Sequence, residues 1–314
     1  MCTDPLPPDT YCFLGRYISV RSNSQAMFDR LRLMYRRFLA DGAGREPDLA
    51  LEIMDDFDQS GALEIKDPWL LYRMSRTGQQ CHFSCQNVET GQFEFLGFCE
   101  PEILVQNAVL HTVAKACPDH VLVHAGAVEL GGRALVFPAE PRMGKTTMVL
   151  RLATMGCGLL SDEVACFSRD SGRVDPFPRA VNVREDGMRM LGLAQDGPFV
   201  SSGTGAEGAE YAIDAEEMPG VRLSEGCEAG YLVFLRGFGD APKLEVLSKG
   251  RALFRLADSC IGLIAEPASF LYGLAPLVEQ MACYTLVIGD LDETVQLLMD
   301  LPSRTGGSRA EARP

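Results

Sequence analysis

Residues 139–147, with the sequence AEPRMGKTT, constrain the fold of this chain more than any other segment. The apolar run 134–137 precedes them and reads as a strand, whereas the apolar run 148–155 that follows reads as a helix. A strand, a loop ending in Gly-Lys-Thr and a helix form the context in which a phosphate-loop match is meaningful. Backbone N–H groups at the start of such a helix are unpaired and attract phosphate. The segment therefore predicts a site for a nucleoside triphosphate.

Individual residues of this loop support the prediction unequally. Lys145 would bring a full charge to the β- and γ-phosphates, and the Thr146 hydroxyl is a hard oxygen ligand of the kind Mg²⁺ prefers. The pattern G-x-x-x-x-G-K-[ST] asks for glycine where Ala139 stands, and Pro141 has no N–H to donate. Arg142 is bulkier than the usual residue, and its guanidinium either contacts a phosphate or is a solvated surface group.

A pair of adjacent acids, Asp162 and Glu163, follows the apolar run 158–160 and precedes another apolar run, 164–167. In open α/β sheets, ligand-binding groups gather at the carboxyl ends of strands. An acid at such a place holds Mg²⁺ or accepts a proton from an attacking hydroxyl. A solvated turn is the alternative, because Ser and Asp are common turn residues. The loop upstream favours the functional interpretation.

A fixed order of motifs surrounds the loop. His124 lies in the apolar run 121–130, a Gly-Gly hairpin at 131–132 follows, and Pro-Phe-Pro-Arg stands at 176–179 beyond the acidic pair. This order resembles the HPr kinase/phosphorylase superfamily, most strongly over residues 104–183. It looks closest to the HPr-kinase-related proteins often encoded beside peptide-modification or cell-surface gene clusters.

The resemblance implies an α/β fold, with a P-loop kinase core of the phosphoenolpyruvate-carboxykinase-like type on a mixed, strongly curved sheet. A small α+β domain would precede this core. The implied activity is an HPr-kinase-like phosphotransferase that uses ATP and Mg²⁺ to phosphorylate a hydroxyl on a protein, a peptide or a small molecule. Because the loop departs from the pattern, a catalytically weak or dead nucleotide-binding relative that acts as a sensing module is the alternative.

The resemblance also assigns roles to residues. Asp162 and Glu163 match an Asp-Asp pair that supplies the metal contact and the general base, and His124 matches a histidine near the phosphates. Glu163 is one methylene longer than the second Asp of that pair. The implied catalytic residues are Asp162, Glu163 and His124, and the implied metal ligands are Thr146 and Asp162. The cofactor-binding residues that the resemblance implies are Gly144, Lys145, Thr146, Thr147 and Arg179, and we expect their loop neighbours Arg142 and Met143 to bind the cofactor with them.

Charge and hydropathy exclude several partners. The net charge is −14 without a Lys/Arg cluster, so the chain repels nucleic acid. No apolar run reaches the roughly 18 residues that a membrane span requires. The first residues have neither the basic start nor the apolar core of a signal peptide, so we expect a cytoplasmic protein.

Eleven cysteines are scattered along the chain. Cys81, Cys85 and Cys99 are the closest group, with His82 beside them. No second His/Cys pair stands at a spacing that would complete a zinc site, so these cysteines are expected to be buried small hydrophobes.

Apolar patterns predict the organisation of the chain. We expect an N-terminal domain over 1–100, a P-loop core over 101–301 and a disordered tail over 302–314. Within the first domain, the patterns predict a helix over 27–38 and strands over 11–20, 48–57, 63–65, 70–75, 80–85 and 92–98. In the core they predict strands over 226–238 and 284–288, helices over 252–264 and 291–301, and a loop over 196–219.

Overall fold

The computed structural model describes residues 6–40, 45–78, 80–138, 142–197, 200–205, 208–262 and 267–303. Ala139 and Pro141 of the loop and residues 304–314 of the predicted tail lie outside this set. The chain divides into two compact units, one ending at Pro118 and one beginning at Asp119. Both units combine helices with mixed sheets, as expected for an α/β protein. Among the described residues, none of the helices has the length and apolar character to span a membrane.

The first unit contains one sheet whose strands follow their order in the sequence. Strands β2 and β3 are parallel, and the other neighbours are antiparallel. A parallel pair needs a crossover, which α1 provides. The strands are β1 (Asp9–Phe13), β2 (Arg16–Ser22), β3 (Leu49–Asp56), β4 (Ala62–Lys66), β5 (Leu70–Thr77), β6 (Gln80–Asn87) and β7 (Phe93–Phe98). The helices are α1 (Gln25–Tyr35), α2 (Phe57–Ser60) and α3 (Pro101–Ala116).

The predicted single strand over 11–20 is wrong, because the chain turns in its middle. Leu14 and Gly15 have φ values of 49° and 81°, and the turn they form separates β1 from β2. Gly adopts this conformation without strain, whereas Leu rarely does. An apolar alternation pattern continues across such a turn and therefore does not reveal it.

Polar contacts fix helix α3 to the sheet. The Tyr72 hydroxyl lies 2.8 Å from His111 Nδ1, and the Thr112 hydroxyl donates to Asp67 Oδ2 at 2.7 Å. Tyr72, Asp67 and Thr112 are buried. Burial lowers the pKa of His111 below 6.5, with Lys115 acting in the same direction and Asp67 opposing it. The folded state therefore favours the neutral imidazole, whose Nδ1 is hydrogen-bonded to the Tyr72 hydroxyl.

The partly buried His111 predicts a pH dependence of stability. Below about pH 6.5 the unfolded chain binds a proton at His111 that the folded chain resists, so the free energy of unfolding falls as the pH falls. His111→Asn keeps an acceptor for Tyr72 but cannot titrate. We expect a smaller loss of stability between about pH 8 and pH 5.5 in this variant than in the wild type. Urea titrations followed by fluorescence of the single tryptophan, Trp69, measure this difference in the first unit. Equal losses in the two proteins would refute it.

The second unit is built on a larger mixed sheet and a small antiparallel one, formed by β13, β15 and β14. Its strands are β8 (His120–Leu130), β9 (Arg133–Pro138), β10 (Gly158–Ser161), β11 (Val164–Ser168), β12 (Arg173–Asp175), β13 (Val181–Arg184), β14 (Val200–Gly205), β15 (Gly208–Ile213), β16 (Arg222–Leu223), β17 (Cys227–Phe238), β18 (Lys243–Val246) and β19 (Ala282–Ile288). Its helices are α4 (Lys145–Thr154), α5 (Glu185–Leu191), α6 (Lys249–Ala257), α7 (Pro267–Gln280) and α8 (Leu291–Met299).

Strand pairing curves the larger sheet. Strands β8 and β9 form the predicted hairpin, in which Gly131 and Gly132 have φ values of 58° and 77°. Strand β9 then pairs with β17, β17 with β12, β12 with β11 and β11 with β8. This ring of pairings requires the sheet to bend back on itself. Strands β9, β17 and β19 are parallel, so their carboxyl ends lie at the same edge.

Two apolar layers cover the faces of this sheet. Leu135 and Phe137 of β9 belong to the cluster that includes α4 and α8, whereas Ala134 and Val136 belong to the cluster that includes α6 and α7. The alternation follows from the two-residue period of a strand. Helix α4 is therefore held against one face, directly after the strand that precedes the loop.

Some predicted elements of the second unit are confirmed and others are wrong. Strands β17 and β19 and helix α8 occupy the predicted positions within a few residues. The loop predicted over 196–219 is wrong, because β14 and β15 pair there as a hairpin. Helix α7 was not predicted, because Pro276 interrupts its apolar run and proline disfavours helix interiors.

Candidate functional site

The loop ends where helix α4 begins. Gly144 has a φ of 81° and precedes the first helical residue, and no side chain caps the helix. A Cβ atom at Gly144 would lie 3.3 Å from Ile288 Cδ1 and 3.5 Å from Phe238 Cζ. Both the backbone conformation and the space therefore favour glycine here. The N–H groups of the first turn have no partner within the helix, which makes this terminus suited to an anion.

A second glycine, Gly126, brings helix α4 close to strand β8. A Cβ atom at Gly126 would lie 2.5 Å from Val149 Cγ2 and 3.2 Å from Lys145 Cγ. Any larger residue would push the helix, and with it Lys145, away from the sheet. Sequence analysis gave this residue no role. A glycine inside an apolar strand is the signal that would have revealed it, because it often marks a close approach.

The side chain of Lys145 lies beside residues from strand β8 and from the turn between β10 and β11. Its Nζ is 3.3 Å from His124 Nε2 and 3.7 Å from Glu163 Oε2. His124 Nδ1 is 3.1 Å from Glu163 Oε1. An ammonium can only donate, so His124 Nε2 is the acceptor and the imidazole proton on Nδ1 faces the carboxylate. His124 therefore links Lys145 to Glu163.

Glu163 also forms an ion pair with Arg179. Arg179 Nη2 lies 3.3 Å from Glu163 Oε2, and the Arg179 side chain is only 3% exposed. Burial acts to raise the pKa of Glu163, but Arg179, His124 and Lys145 outweigh it and hold that pKa well below its ordinary value. Glu163 is therefore a permanent anion that holds three cationic or donating groups together, and a weak proton acceptor.

Asp162 is in a different environment from its neighbour. Its Oδ2 accepts from the Thr146 hydroxyl at 2.9 Å, and the residue is 5% exposed. Its buried Oδ1 has no hydrogen-bond partner among the described residues. Burial raises the pKa of Asp162, although Lys145, Thr146 and Arg179 act in the opposite direction. The two adjacent carboxylates are thus shifted in opposite directions.

Local backbone structure explains how both acids reach the site. Strands β10 and β11 pair with the same strand, β8, with Ser161 opposite Ala127 and Val164 opposite His124. Asp162 and Glu163 lie between the two paired segments, just after a register shift between Leu159 and Ser161. The Ser161 hydroxyl accepts from the N–H groups of Glu163 at 3.3 Å and Val164 at 3.0 Å and stabilises this turn. The predicted strand-end position of the acidic pair follows from this geometry.

The oxygen atoms of Thr146 and Asp162 suit a hard divalent cation that phosphate oxygens also coordinate. Thr146 Oγ1 and the Asp162 carboxylate supply adjacent oxygens, and Oδ1 is an orphaned buried acceptor. The described residues contain no group of three or more His, Cys, Asp or Glu side chains arranged to hold a metal. Mg²⁺ commonly takes one or two protein oxygens and completes its shell with phosphate and water. The site therefore suits Mg²⁺ that arrives with a nucleotide, rather than a resident metal.

Three other residues of the predicted site are Arg142, Met143 and Thr147. Arg142 is exposed and has a φ of 68°. Met143 packs against the apolar cluster beneath α4. The Thr147 hydroxyl lies 3.4 Å from the position that a Cβ atom on Gly187 would occupy. The cluster around Glu163 thus brings together Lys145, His124 and Arg179, with Thr146 and Asp162 beside it.

Arg142 offers a test of the phosphate-binding role predicted for the loop. Its left-handed conformation is one that favours glycine. If its guanidinium bridges the β- and γ-phosphates, Arg142→Gly should lower the affinity for ATP about tenfold, because a charge-assisted hydrogen bond is lost. The affinity for ADP should fall much less. Calorimetric titration of both nucleotides measures the difference, with Arg142→Ala as the control that removes the charge but keeps a Cβ. Tighter ATP binding by the glycine variant would show that Arg142 only strains the loop.

No family model matches the chain, and no curated protein matches it. Among solved structures, the HPr(Ser) kinase/phosphatase from Coxiella burnetii is similar to this chain at 12% sequence identity and a TM-score of 0.29. The similarity covers 61% of this chain and 99% of that one. These values support only a distant structural relationship, so any function must be argued from the residues of this chain.

Proposed function

We propose that the second unit is a phosphotransferase that binds ATP and Mg²⁺ and transfers the γ-phosphate to a hydroxyl. The acceptor belongs to a protein, a peptide or a small molecule. One observation carries this proposal: a buried acid with an unpartnered oxygen, Asp162, bonds the Thr146 hydroxyl beside the uncapped start of helix α4. The proposed core is HPr-kinase-like, with a P-loop of the phosphoenolpyruvate-carboxykinase-like type.

Phosphoryl transfer requires mainly positioning and compensation of charge. The first-turn N–H groups of α4 would bind the phosphates, and Lys145 would turn from His124 and Glu163 towards them. Lys145 is 10% exposed, so its interaction with phosphate is only weakly screened by water. The close packing at Gly126 and the conformation of Gly144 fix the backbone position from which the Lys145 side chain extends.

Thr146 and Asp162 would hold Mg²⁺ together with the nucleotide phosphates. When bound, the cation would neutralise negative charge on those phosphates. We also assign acceptance of the hydroxyl proton to Asp162, because the Glu163 carboxylate is already held by Arg179, His124 and Lys145. We assign Glu163 and Arg179 to positioning: they hold His124 and Lys145 in place.

A nucleotide-binding module without catalysis is the second candidate. The strained Arg142 favours it, since a loop adapted for tight closure around phosphate would carry glycine at a φ of 68°. The low pKa of Glu163 also favours it, because this removes one of two possible proton acceptors.

Nucleotide titrations and acceptor assays separate the two candidates. ATP is titrated calorimetrically with and without Mg²⁺, and ADP release is then followed with fractions of a cell lysate as acceptors. The kinase predicts Mg²⁺-dependent binding and ADP release that requires a particular fraction. Tight binding without ADP release in any fraction would support the module, and no ATP binding would exclude both.

A further inference from the structure

Phe238 is an exposed aromatic residue beside the loop. It ends strand β17, whose residues 229–235 are buried, yet 65% of Phe238 is exposed. Its ring lies 3.5 Å from the position that a Cβ atom on Gly144 would occupy. Burial therefore gives Phe238 little stabilising role in the core, and its position at the loop calls for another explanation.

Strand topology places Phe238 on the ligand-binding edge of the sheet. Strand β9, which leads into the loop, is parallel to β17, and β17 is parallel to β19. In open α/β sheets, ligands bind outside the carboxyl ends of such strands. The neighbouring residue Gly237 has a φ of 109° and lies near Met143, with Met143 Cε 3.8 Å from the position of a Cβ on Gly237. The end of β17 thus turns beside the loop and leaves the Phe238 ring in solvent.

We propose that Phe238 is the stacking surface for the base of the bound nucleotide. This inference rests on the proposed function, because it requires a nucleotide held by its phosphates at the start of α4. The base is the flat, weakly polar part of a nucleotide, and an exposed phenyl ring binds it by stacking. Stacking accepts any base because each has a π-face, so adenine and guanine nucleotides should bind with similar affinity at this subsite.

The experiment compares ligands with and without a base. ATP, GTP and inorganic tripolyphosphate, each with Mg²⁺, are titrated calorimetrically into the wild type, Phe238→Ala and Phe238→Tyr. Loss of one stacking contact should lower the affinity of the alanine variant for ATP and GTP by about tenfold and leave its affinity for tripolyphosphate unchanged. Phe238→Tyr should retain wild-type affinity for all three.

Phe254→Ala is the matched control. Phe254 is 75% exposed on α6, and the buried residues of α6 belong to the cluster on the other face of the sheet from α4. This variant should bind all three ligands like the wild type. Any common effect of removing an exposed phenyl ring from the second unit would appear in it.

The outcomes separate the subsite from the phosphate site. If the wild type binds tripolyphosphate as tightly as ATP, or Phe238→Ala does not weaken ATP, the stacking assignment is wrong while the phosphate site stands. An equal loss of affinity for ATP and tripolyphosphate in Phe238→Ala would also overturn the stacking assignment, because the ring would then affect the conformation of the phosphate loop rather than bind the base. If neither ATP nor tripolyphosphate binds the wild type, the proposed function itself fails.

Discussion

Asp162→Asn is expected to lower the rate of phosphate transfer from ATP by about 100-fold or more, without loss of stability. Asparagine keeps the size of the side chain and an oxygen that accepts from Thr146. It removes the charge that would hold Mg²⁺ and the basicity that would accept the hydroxyl proton. Burial raises the pKa of Asp162, so the folded protein disfavours the ionised carboxylate, and a neutral amide should not destabilise it.

The measurement is ADP release from ATP, with water or an active lysate fraction as acceptor, together with thermal unfolding of both proteins. Asp170→Asn is the control, because Asp170 is an exposed acid in the turn that follows β11. It should retain full activity. Full activity in Asp162→Asn would show that the carboxylate is not catalytic, and unfolding of the variant would show that it is architectural.

Lys145→Ala is expected to weaken ATP binding about ten- to hundredfold, because it removes a charge-assisted hydrogen bond worth roughly 1.5–3 kcal/mol. Glu163 would keep Arg179 and His124 as partners, so the fold should persist. Lys145→Met provides the matched comparison, since it keeps an aliphatic chain near Gly126 without the ammonium. Calorimetric titration should give similar losses for both variants. Unchanged ATP affinity in correctly folded Lys145→Ala would remove Lys145 from the site.

Local patterns in the sequence predicted local parts of the fold well. The Gly-Gly pair at 131–132 predicted the hairpin of β8 and β9, since both glycines adopt positive φ values there. The strand, glycine and helix around Lys145 were also visible in the sequence. By contrast, the hairpin of β14 and β15 lies in a segment rich in Gly, Ser and Glu, whose composition predicted a loop. Pairing with β13 supplies the partner that this composition does not reveal.

The cluster around Glu163 was predicted only as a set of residues, because its geometry depends on long-range packing. His124, Lys145 and Arg179 come from a strand, a helix and a proline-rich turn, and the curved sheet brings them to one carboxylate. The opposite pKa shifts of Asp162 and Glu163 follow from this packing. No pattern in adjacent letters distinguishes the proton affinities of two neighbouring acids, so a catalytic role was predicted for both, and only Asp162 was also predicted as a metal ligand.

The fate of the terminal phosphoryl group tests the proposed activity most directly. The wild type and Lys145→Ala are incubated with Mg²⁺ and ATP that carries heavy oxygen isotopes in its γ-phosphate, in the presence of fractionated cell lysate. Products are identified by mass spectrometry. A phosphotransferase predicts one hydroxyl-bearing product that carries the labelled phosphoryl group, formed with an equal amount of ADP and much reduced in Lys145→Ala. Nucleotide binding without any labelled product, or a labelled product formed equally by both proteins, would contradict this function.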